Sequence, residues 1–509
     1  MTRLAKSLAY RMASLLMRLL HDGRICTGLL LWPGLESLRW HVGRLGAWVQ
    51  YEHARRTVPA YRDFLRTVAA QCETSEVGGD IPLTDKTSYV KAFSLEARCV
   101  DGRLPVEGII IDESSGSSGR PTNWVRGEKE RAMNRRTLHL GLRYRLGNEP
   151  LFILNAFALG PWATGINITM ALTASSRMKA LGPDISKIEN TLREFGSDHH
   201  YVVMGYPPFL KNLVDRADVD WQQYRISMIY GGEGMPEAMR RHLQQKGIGR
   251  IYGSYGASDL ELNIGAETDF TIALRRRMEL QPSLAARLLR HHGALPMIFQ
   301  YNPTDFFLEV NHAGELVVTV CRPGCVTPKV RYNIHDLGQV VRFPELVEIL
   351  AAEGLSPDDL DPTALDLPLL FHYGRSDQSV AYFGCKIPPA DIQDVLFRIP
   401  ALAKSVDAFQ LRTVESREGD KQLVLALEVV APDEIPEGPS YWAGPVFDML
   451  ASVNQDFRES RRMVPPDREP NLEFHPAGTG PFLGADSRVK RDYIRTTHAS
   501  PEPVIQERL

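Results

Sequence analysis

In one short stretch, Ser114-Ser115-Gly116-Ser117-Ser118-Gly119-Arg120-Pro121-Thr122, the chain sets four serines and two glycines ahead of an arginine. Glycines let successive backbone N–H groups turn toward a ligand, serine hydroxyls add donors and a guanidinium offers a charged fork, so the stretch suits a polyphosphate. By composition alone it also describes a flexible surface linker. Two other chemistries are excluded. A Walker loop ends in Gly-Lys-Ser/Thr, whereas Gly119 is followed by Arg120-Pro121, and the Gly-x-Ser-x-Gly of a nucleophile elbow occurs nowhere. The one close cysteine pair, Cys321-Arg322-Pro323-Gly324-Cys325, has no second Cys or His pair at zinc-like spacing and reads as a turn.

The elements that must position such a loop can be read around it. Gly108-Ile109-Ile110-Ile111 feeds directly into the serines and has the β-branched run of a buried strand. Further apolar runs, Leu151-Phe152-Ile153-Leu154, Tyr201-Val202-Val203-Met204, Ile226-Ser227-Met228-Ile229-Tyr230 and Leu316-Val317-Val318-Thr319-Val320, alternate with helical stretches. That alternation predicts an α/β architecture. Upstream, residues 54–65 read as a helix interrupted at Pro59, and Ile81-Pro82-Leu83-Thr84-Asp85-Lys86 supplies a turn and a cap for a helix over residues 89–96. Beyond Gly374 the chain has its own strand signals (379–383, 422–430) and helix signals (390–398, 445–459), and about 135 residues suffice for a small independent domain.

Composition bounds the function class. The 509 residues, 43% hydrophobic and 24% charged, are those of a globular protein and exclude a disordered or collagen-like chain. Acidic residues number 62 against 59 basic, a net charge of −3. That balance argues against a nucleic-acid binder, so a small-molecule enzyme is expected. Six scattered cysteines form no disulfide framework, and a reducing cytoplasmic compartment is expected. The longest apolar runs are broken by Arg18 and Pro33, so neither a membrane span nor a signal peptide is predicted. Residues 1–50 nevertheless carry seven Arg/Lys against Asp22 and Glu36, with Trp32, Trp40 and Trp48 interleaved. Two readings stay open for them: amphipathic helices packed on the body, or a peripheral contact with an anionic membrane surface.

Taken in order, the motifs resemble the acyl-adenylate-forming superfamily, in its phenylacetate–CoA ligase-like branch. The 114–122 stretch looks like the family's phosphate loop, with the Pro-Thr ending of that branch. Val58-Pro59-Ala60-Tyr61-Arg62 and residues 81–86 resemble segments that precede the loop. Tyr230-Gly231-Gly232-Glu233-Gly234 looks like the segment that flanks adenine. Tyr255-Gly256-Ala257-Ser258-Asp259 is similar to the family's Tyr-Gly-x-Thr-Glu, Arg331-Tyr332-Asn333-Ile334-His335-Asp336 to its Arg-Tyr-x-x-x-Asp, and Gly374-Arg375-Ser376-Asp377 to its hinge.

The resemblance implies a large N-terminal domain of packed α/β subdomains over residues 51–373, a basic extension over 1–50, and a small mobile α+β cap over 374–509 that turns about Asp377. It implies ATP binding by Ser114, Ser115, Gly116, Ser117, Ser118, Gly119, Gly232, Glu233, Tyr255, Gly256, Ser258, Asp336 and Arg375. Mg²⁺ would fall to Asp259, one methylene shorter than the usual Glu, and the β/γ-phosphates to Arg120. The adenylation lysine would be Lys490, with Arg488 and Arg491 as rivals, because this tail lacks the expected Gly-Lys dipeptide. Phe157, Trp162 and Tyr206 would wall the acyl pocket, and Gly384 would lie in the loop that lines thiol entry. Some relatives carry a zinc site; here His291 and His292 have no Cys nearby, so no zinc is expected.

The activity implied is ATP-dependent activation of a hydrophobic or aromatic carboxylic acid as acyl-AMP, followed by transfer to coenzyme A. Two alternatives stay open: transfer to a carrier-protein thiol or an amine, and a non-catalytic nucleotide-binding relative, suggested by Asp259 and the missing Gly-Lys. A homodimer and a membrane-peripheral location are left open as well.

Overall fold

The computed structural model describes residues 3–21, 23–71, 81–113, 122–160, 163–290, 295–375, 380–382, 385–415, 421–454, 457–458, 461, 469–483 and 494–498. The chain divides into two compact units, the first built from residues 1–235, 242–288 and 295–373, the second mainly from residues 374–509.

The first unit opens with four helices, α1 (Arg3–Leu20), α2 (Gly23–Leu31), α3 (Glu36–Thr57) and α4 (Pro59–Gln71). Pro59 does not interrupt a helix; it starts one. Val58 is extended (φ −102°, ψ 111°), as the residue before proline prefers, and Pro59 takes the first helical position, where a missing N–H costs nothing. Downstream, Asp85 caps a short π-helical turn at Lys86–Val90 by accepting from the N–H groups of Thr87 and Ser88 at 2.8 and 2.6 Å. The helix expected over 89–96 does not follow it; the chain runs on in turns.

Two strands, β1 (Ile109–Glu113) and β2 (Asn123–Gly127), form an antiparallel ribbon of their own, with Asp112 opposite Trp124. This corrects the expectation of a buried strand over the isoleucines. Ile111 is 46% exposed, because a two-stranded ribbon offers only one face to the body.

The remaining strands of this unit are β3 (Leu151–Asn155), β4 (Arg177–Ala180), β5 (His200–Gly205), β6 (Arg225–Gly231), β7 (Ile251–Tyr255), β8 (Gly265–Ala266), β9 (Met297–Tyr301), β10 (Phe306–Val310), β11 (Glu315–Val320), β12 (Tyr332–Val341) and β13 (Leu369–Arg375). They make one eleven-stranded sheet in the order β10-β11-β12-β13-β9-β8-β7-β6-β5-β3-β4. The run β4-β3-β5-β6-β7 is parallel, and the strands from β8 onward pair antiparallel in their recorded registers. Strands β3, β5 and β6 are apolar on both faces because helices cover both sides of a parallel sheet. Among those helices are α5 (Glu128–Leu146), α6 (Ala163–Leu172), α7 (Ile185–Phe195) and α8 (Pro207–Arg216). Leu142 and Leu146 of α5, and Ile168 and Leu172 of α6, pack with Ile153, Val202 and Tyr252 in one core.

In the second unit, β14 (Val380–Tyr382) pairs with β15 (Cys385–Ile387), and β16 (Val406–Glu415), β17 (Lys421–Val429), β18 (Asn471–Pro476) and β19 (Ile494–His498) form a sheet in the order β18-β17-β16-β19. Helices Pro389–Arg398 and Pro439–Val453 pack Ile392, Val395 and Leu450 on its apolar residues Leu411 and Leu425. The second helix starts six residues before the 445 expected, so Pro445 lies inside it, and it ends at Val453 rather than 459. Asn454 ties its end to the first helix through Asp391 at 2.6 Å.

Candidate active site

Four of the sequence segments singled out above leave the carboxyl ends of neighbouring parallel strands. Ala156-Phe157 follows β3, Tyr206 follows β5, Gly232-Glu233 follows β6, and Gly256-Ala257-Ser258-Asp259 follows β7. In an open α/β sheet that edge is where ligands bind.

Two tyrosine–aspartate pairs lock the β7 segment to β12. Tyr255 Oη donates to Asp336 Oδ2 at 2.8 Å, and Tyr332 Oη donates to Asp259 Oδ2 at 2.8 Å. Each motif thus supplies the tyrosine that fixes the other's carboxylate. His372 Nε2 stands 3.3 Å from Asp336 Oδ2, and the Tyr255 ring stacks on Phe299 with centroids 5.6 Å apart. Burial, and then the Asp259 charge, push the Tyr332 phenol up, so its proton stays and the hydroxyl remains a donor. At Gly256 the backbone runs so close to Leu262 that a Cβ would meet its carbonyl oxygen at 2.2 Å, which brings Ser258 and Asp259 back toward β12.

The 81–86 segment docks on the same motif. Thr84 N donates to the Arg331 carbonyl at 3.0 Å, Asn333 N to the Thr84 carbonyl at 2.8 Å, and the Arg331 guanidinium to the carbonyl of Ile81. His335, in the left-handed region at φ 62°, turns toward Glu315 at 3.1 Å.

Beneath these carboxylates lies a buried charge network that sequence reasoning missed. Arg126, on the strand leaving the serine-rich stretch, donates through Nε to Asp112 at 2.8 Å, through Nη1 to the Leu260 carbonyl at 2.9 Å and through Nη2 to the Ser258 carbonyl at 2.8 Å. Its Nη1 lies 3.6 Å from Glu261. Asn167 of α6 adds a 2.9 Å bond to Asp112. One guanidinium therefore ties the β1–β2 ribbon to the Tyr-Gly segment. Lys329 is half-buried beside it, its ammonium 4.7 Å from the Trp124 ring and 3.1 Å from Thr327 Oγ1. Burial, then Arg98, push this lysine down, while burial, then Glu261, push the Glu130 carboxyl up. Nothing local in Trp124-Val125-Arg126-Gly127 marks this arginine as a buried group, because its partners lie far away in the chain.

The aromatic wall forms beside this centre. Phe157 and Tyr206 meet edge to face, centroids 5.4 Å apart and planes at 82°. Gly232 permits it: its φ is +85°, and a Cβ there would sit 2.3 Å from Tyr206 Cε1. Asn155, at the end of β3, accepts from Phe157 N at 3.2 Å and donates to the Gly165 carbonyl at 2.7 Å, fixing that corner. Burial, then Glu233, push the Tyr206 phenol up to about 12.

The structure thus brings together Tyr255, Gly256, Ser258, Asp259 and Asp336 on one side, and Phe157, Tyr206, Gly232 and Glu233 along the same strand edge. Arg375 ends β13 and belongs to the second unit. Ser114, Ser115, Gly116, Ser117, Ser118, Gly119, Arg120, Trp162, His291, His292, Asp377, Gly384 and Lys490 lie outside the described residues. Among the described residues no cluster of three metal-ligating side chains occurs, and Cys321 and Cys325 are buried thiols that burial pushes up.

No family model matches the chain, and no curated protein matches it. Solved structures do. The 2-hydroxyisobutyryl-CoA ligase in its postadenylation state with R3-HIB-AMP superposes with a TM-score of 0.63 at 14% identity, covering 92% of each chain. The same ligase in an open conformation with 2-HIB-AMP and CoA gives 0.53 at 14% identity, over 91% of this chain and 92% of that one. In its thioesterification state it gives 0.50 at 14%, over 93% and 92%. At these identities the likeness establishes the fold, that of acyl-adenylate-forming ligases.

Proposed function

We propose that this chain activates a carboxylic acid with ATP as an acyl-AMP, releasing pyrophosphate, and then passes the acyl group to the thiol of coenzyme A. The reciprocal clamp carries the reading: Tyr255 on Asp336 and Tyr332 on Asp259, set at the carboxyl edge of a sheet with the fold of an acyl-CoA ligase.

In the first step a carboxylate oxygen of the acid bonds to the α-phosphorus of ATP, and the bond from that phosphorus to the pyrophosphate oxygen breaks. Carboxylates and phosphates repel, so the protein's task is orientation and charge compensation. Asp336, held by Tyr255 and His372, would accept from the ribose hydroxyls. The Gly232 turn holds Glu233 at the adenine edge, and the serine-rich stretch with Arg120 takes the phosphates. Mg²⁺ fits Asp259, because Tyr332 occupies one carboxylate oxygen and leaves the other as a hard ligand; Mg²⁺ otherwise keeps waters and nucleotide phosphates, so one carboxylate is enough. When bound it would neutralise charge developing on the phosphates. Arg126, by gripping the carbonyls of Ser258 and Leu260, holds Asp259 at a fixed height above the ribbon that carries the loop.

In the second step the thiol sulfur bonds to the acyl carbon, the bond from that carbon to the AMP oxygen breaks, and the thiol proton leaves to solvent. Phe157 and Tyr206 favour a flat, apolar acyl group, so the acid is read as aromatic or otherwise hydrophobic. The Pro-Thr loop ending and the 58–62 and 81–86 segments support the phenylacetate–CoA ligase-like branch. The test is mass spectrometry of reactions with ATP, Mg²⁺, CoA and a panel of aryl, fatty and hydroxy acids. An acyl-CoA from an aryl or fatty acid is expected; AMP release without any thioester, restored by an amine or a carrier protein, would move the acceptor elsewhere.

A further inference from the structure

We propose that the outer face of α1 is a docking surface for an anionic phospholipid leaflet. Leu8, Met12, Leu15, Leu16 and Leu19 recur at the spacing of one helical face and are 44–65% exposed. Among the described residues, nine of the seventeen large hydrophobic side chains left exposed fall between residues 8 and 38, so this is a concentration and not scatter.

The helix is not a loose arm awaiting a core. Its opposite face is already packed: Ala13 and Met17 lie against Val42 and Val49 of α3, and a Cβ at Gly46 would meet Met17 Cε at 2.7 Å. Tyr10 Oη contacts His53 Nδ1 at 3.2 Å, and the Arg56 guanidinium lies 4.3 Å over the Tyr10 ring. At the far end His21 stands 3.4 Å from Asp305, which Arg322 holds from the other side at 3.0 Å. The exposed stripe is therefore a second, outward apolar face on an anchored helix.

Charge selects the occupant. Arg11 and Arg18, seven residues apart on one edge of the stripe, are exposed, and α1 contains no acidic residue. The one described carboxylate of the first 50 residues, Glu36, is buried and paired with Arg342 at 2.7 Å. Pairing this face with a second copy would set arginine against arginine with no carboxylate between them, whereas lipid headgroups supply the missing negative charge. Trp32, 67% exposed just after α2, adds an amphipathic ring of the kind that favours the headgroup region. It is held there by Arg39, whose buried guanidinium takes the carbonyls of Leu29 and Trp32 at 3.0 Å each and pairs with Asp366. Among the described residues no helix is long and apolar enough to cross a membrane, so α1 would lie in the plane of the interface with its arginines reaching outward.

The test is flotation of the purified full chain with vesicles of phosphatidylcholine alone or mixed with phosphatidylglycerol, at low and high salt. Flotation with the mixed vesicles is expected, weaker by about tenfold on phosphatidylcholine alone and in high salt. The triple variant Leu8→Ser, Leu15→Ser, Leu19→Ser should lose about tenfold in binding while keeping its circular dichroism and elution volume, since these side chains make no part of the core. Arg11→Glu with Arg18→Glu should remove the preference for the anionic mixture. No flotation with the mixed vesicles, or equal flotation of the triple variant, would overturn the proposal. A dimer that the triple variant dissociates, without any flotation, would also overturn it and assign the face to a second copy.

Discussion

Tyr332 and Asp259, 73 residues apart, are joined by a 2.8 Å hydrogen bond from the phenol to the carboxylate, and the mirror pair Tyr255 and Asp336 repeats the arrangement in the opposite direction. The two motifs therefore order one another: β12 aims the carboxylate after β7, and β7 aims the carboxylate on β12. A bond to a charged acceptor contributes about 1.5–3 kcal/mol, so loss of one hydroxyl should be visible as at least a tenfold effect. Tyr332→Phe is expected to raise the Mg²⁺ concentration needed for half-maximal activity about tenfold, with the rate recovered at saturating Mg²⁺. Tyr255→Phe should instead raise the KM for ATP. If both variants shifted the same parameter, the separate roles given to the two aspartates would fail.

Arg126 holds Asp112 and two carbonyls of the Tyr-Gly segment inside the protein. Arg126→Met leaves Asp112 and Glu261 buried without their cation, which should cost about 3–5 kcal/mol in urea unfolding. Arg126→Lys should also be costly, since an ammonium cannot reproduce three directed bonds from one planar group. Near-normal stability of either variant would contradict the network.

Gly232 sits at φ +85° with the Tyr206 ring where its side chain would be. Gly232→Ala must displace that ring or unwind the turn. The expected outcome is a rise of about tenfold in the KM for an aromatic acid, against a smaller change for ATP. Calorimetric titration with each ligand separates the two.

Glu130 offers a pH test with a defined sign. Its carboxyl accepts from the N–H groups of Gly127 and Val326 at 2.7 and 3.2 Å, and burial raises its affinity for a proton, to a pKa of about 7. A raised acid binds its proton more tightly in the folded state, so its stabilisation is full below the ordinary carboxylate range and is lost as pH rises through about 7. Glu130→Gln mimics the protonated form. The variant should match the native protein in melting temperature at pH 4–5 and exceed it by pH 8, as read by thermal scans across about that range. A constant difference at every pH would contradict the assignment.

The general architecture was legible because apolar strands advertise themselves: the runs at 151–154, 201–204, 226–230 and 316–320 became β3, β5, β6 and β11. The isoleucines at 109–111 misled for the same reason. Hydrophobicity marks a strand but not how many faces will be covered, and a two-stranded ribbon covers one. Pro445 was read as a boundary because proline usually is one, and packing against the small sheet overrides that preference. Within the site, carboxylates and glycines in ordered motifs could be named from sequence, whereas Arg126 and Lys329 could not. A charge becomes a buried structural group only through partners such as Asp112 and Glu261, and the latter lies 135 residues from Arg126, a pairing that no local pattern records.

The most direct measurement is acid-dependent exchange of labelled pyrophosphate into ATP, run on the native chain and on Asp336→Ala with a broad aryl and fatty acid panel. Exchange that requires both Mg²⁺ and one class of hydrophobic acid, and that falls by at least about a hundredfold in Asp336→Ala, is the predicted result. No exchange with any acid, under conditions where the chain is folded and binds ATP, would contradict it.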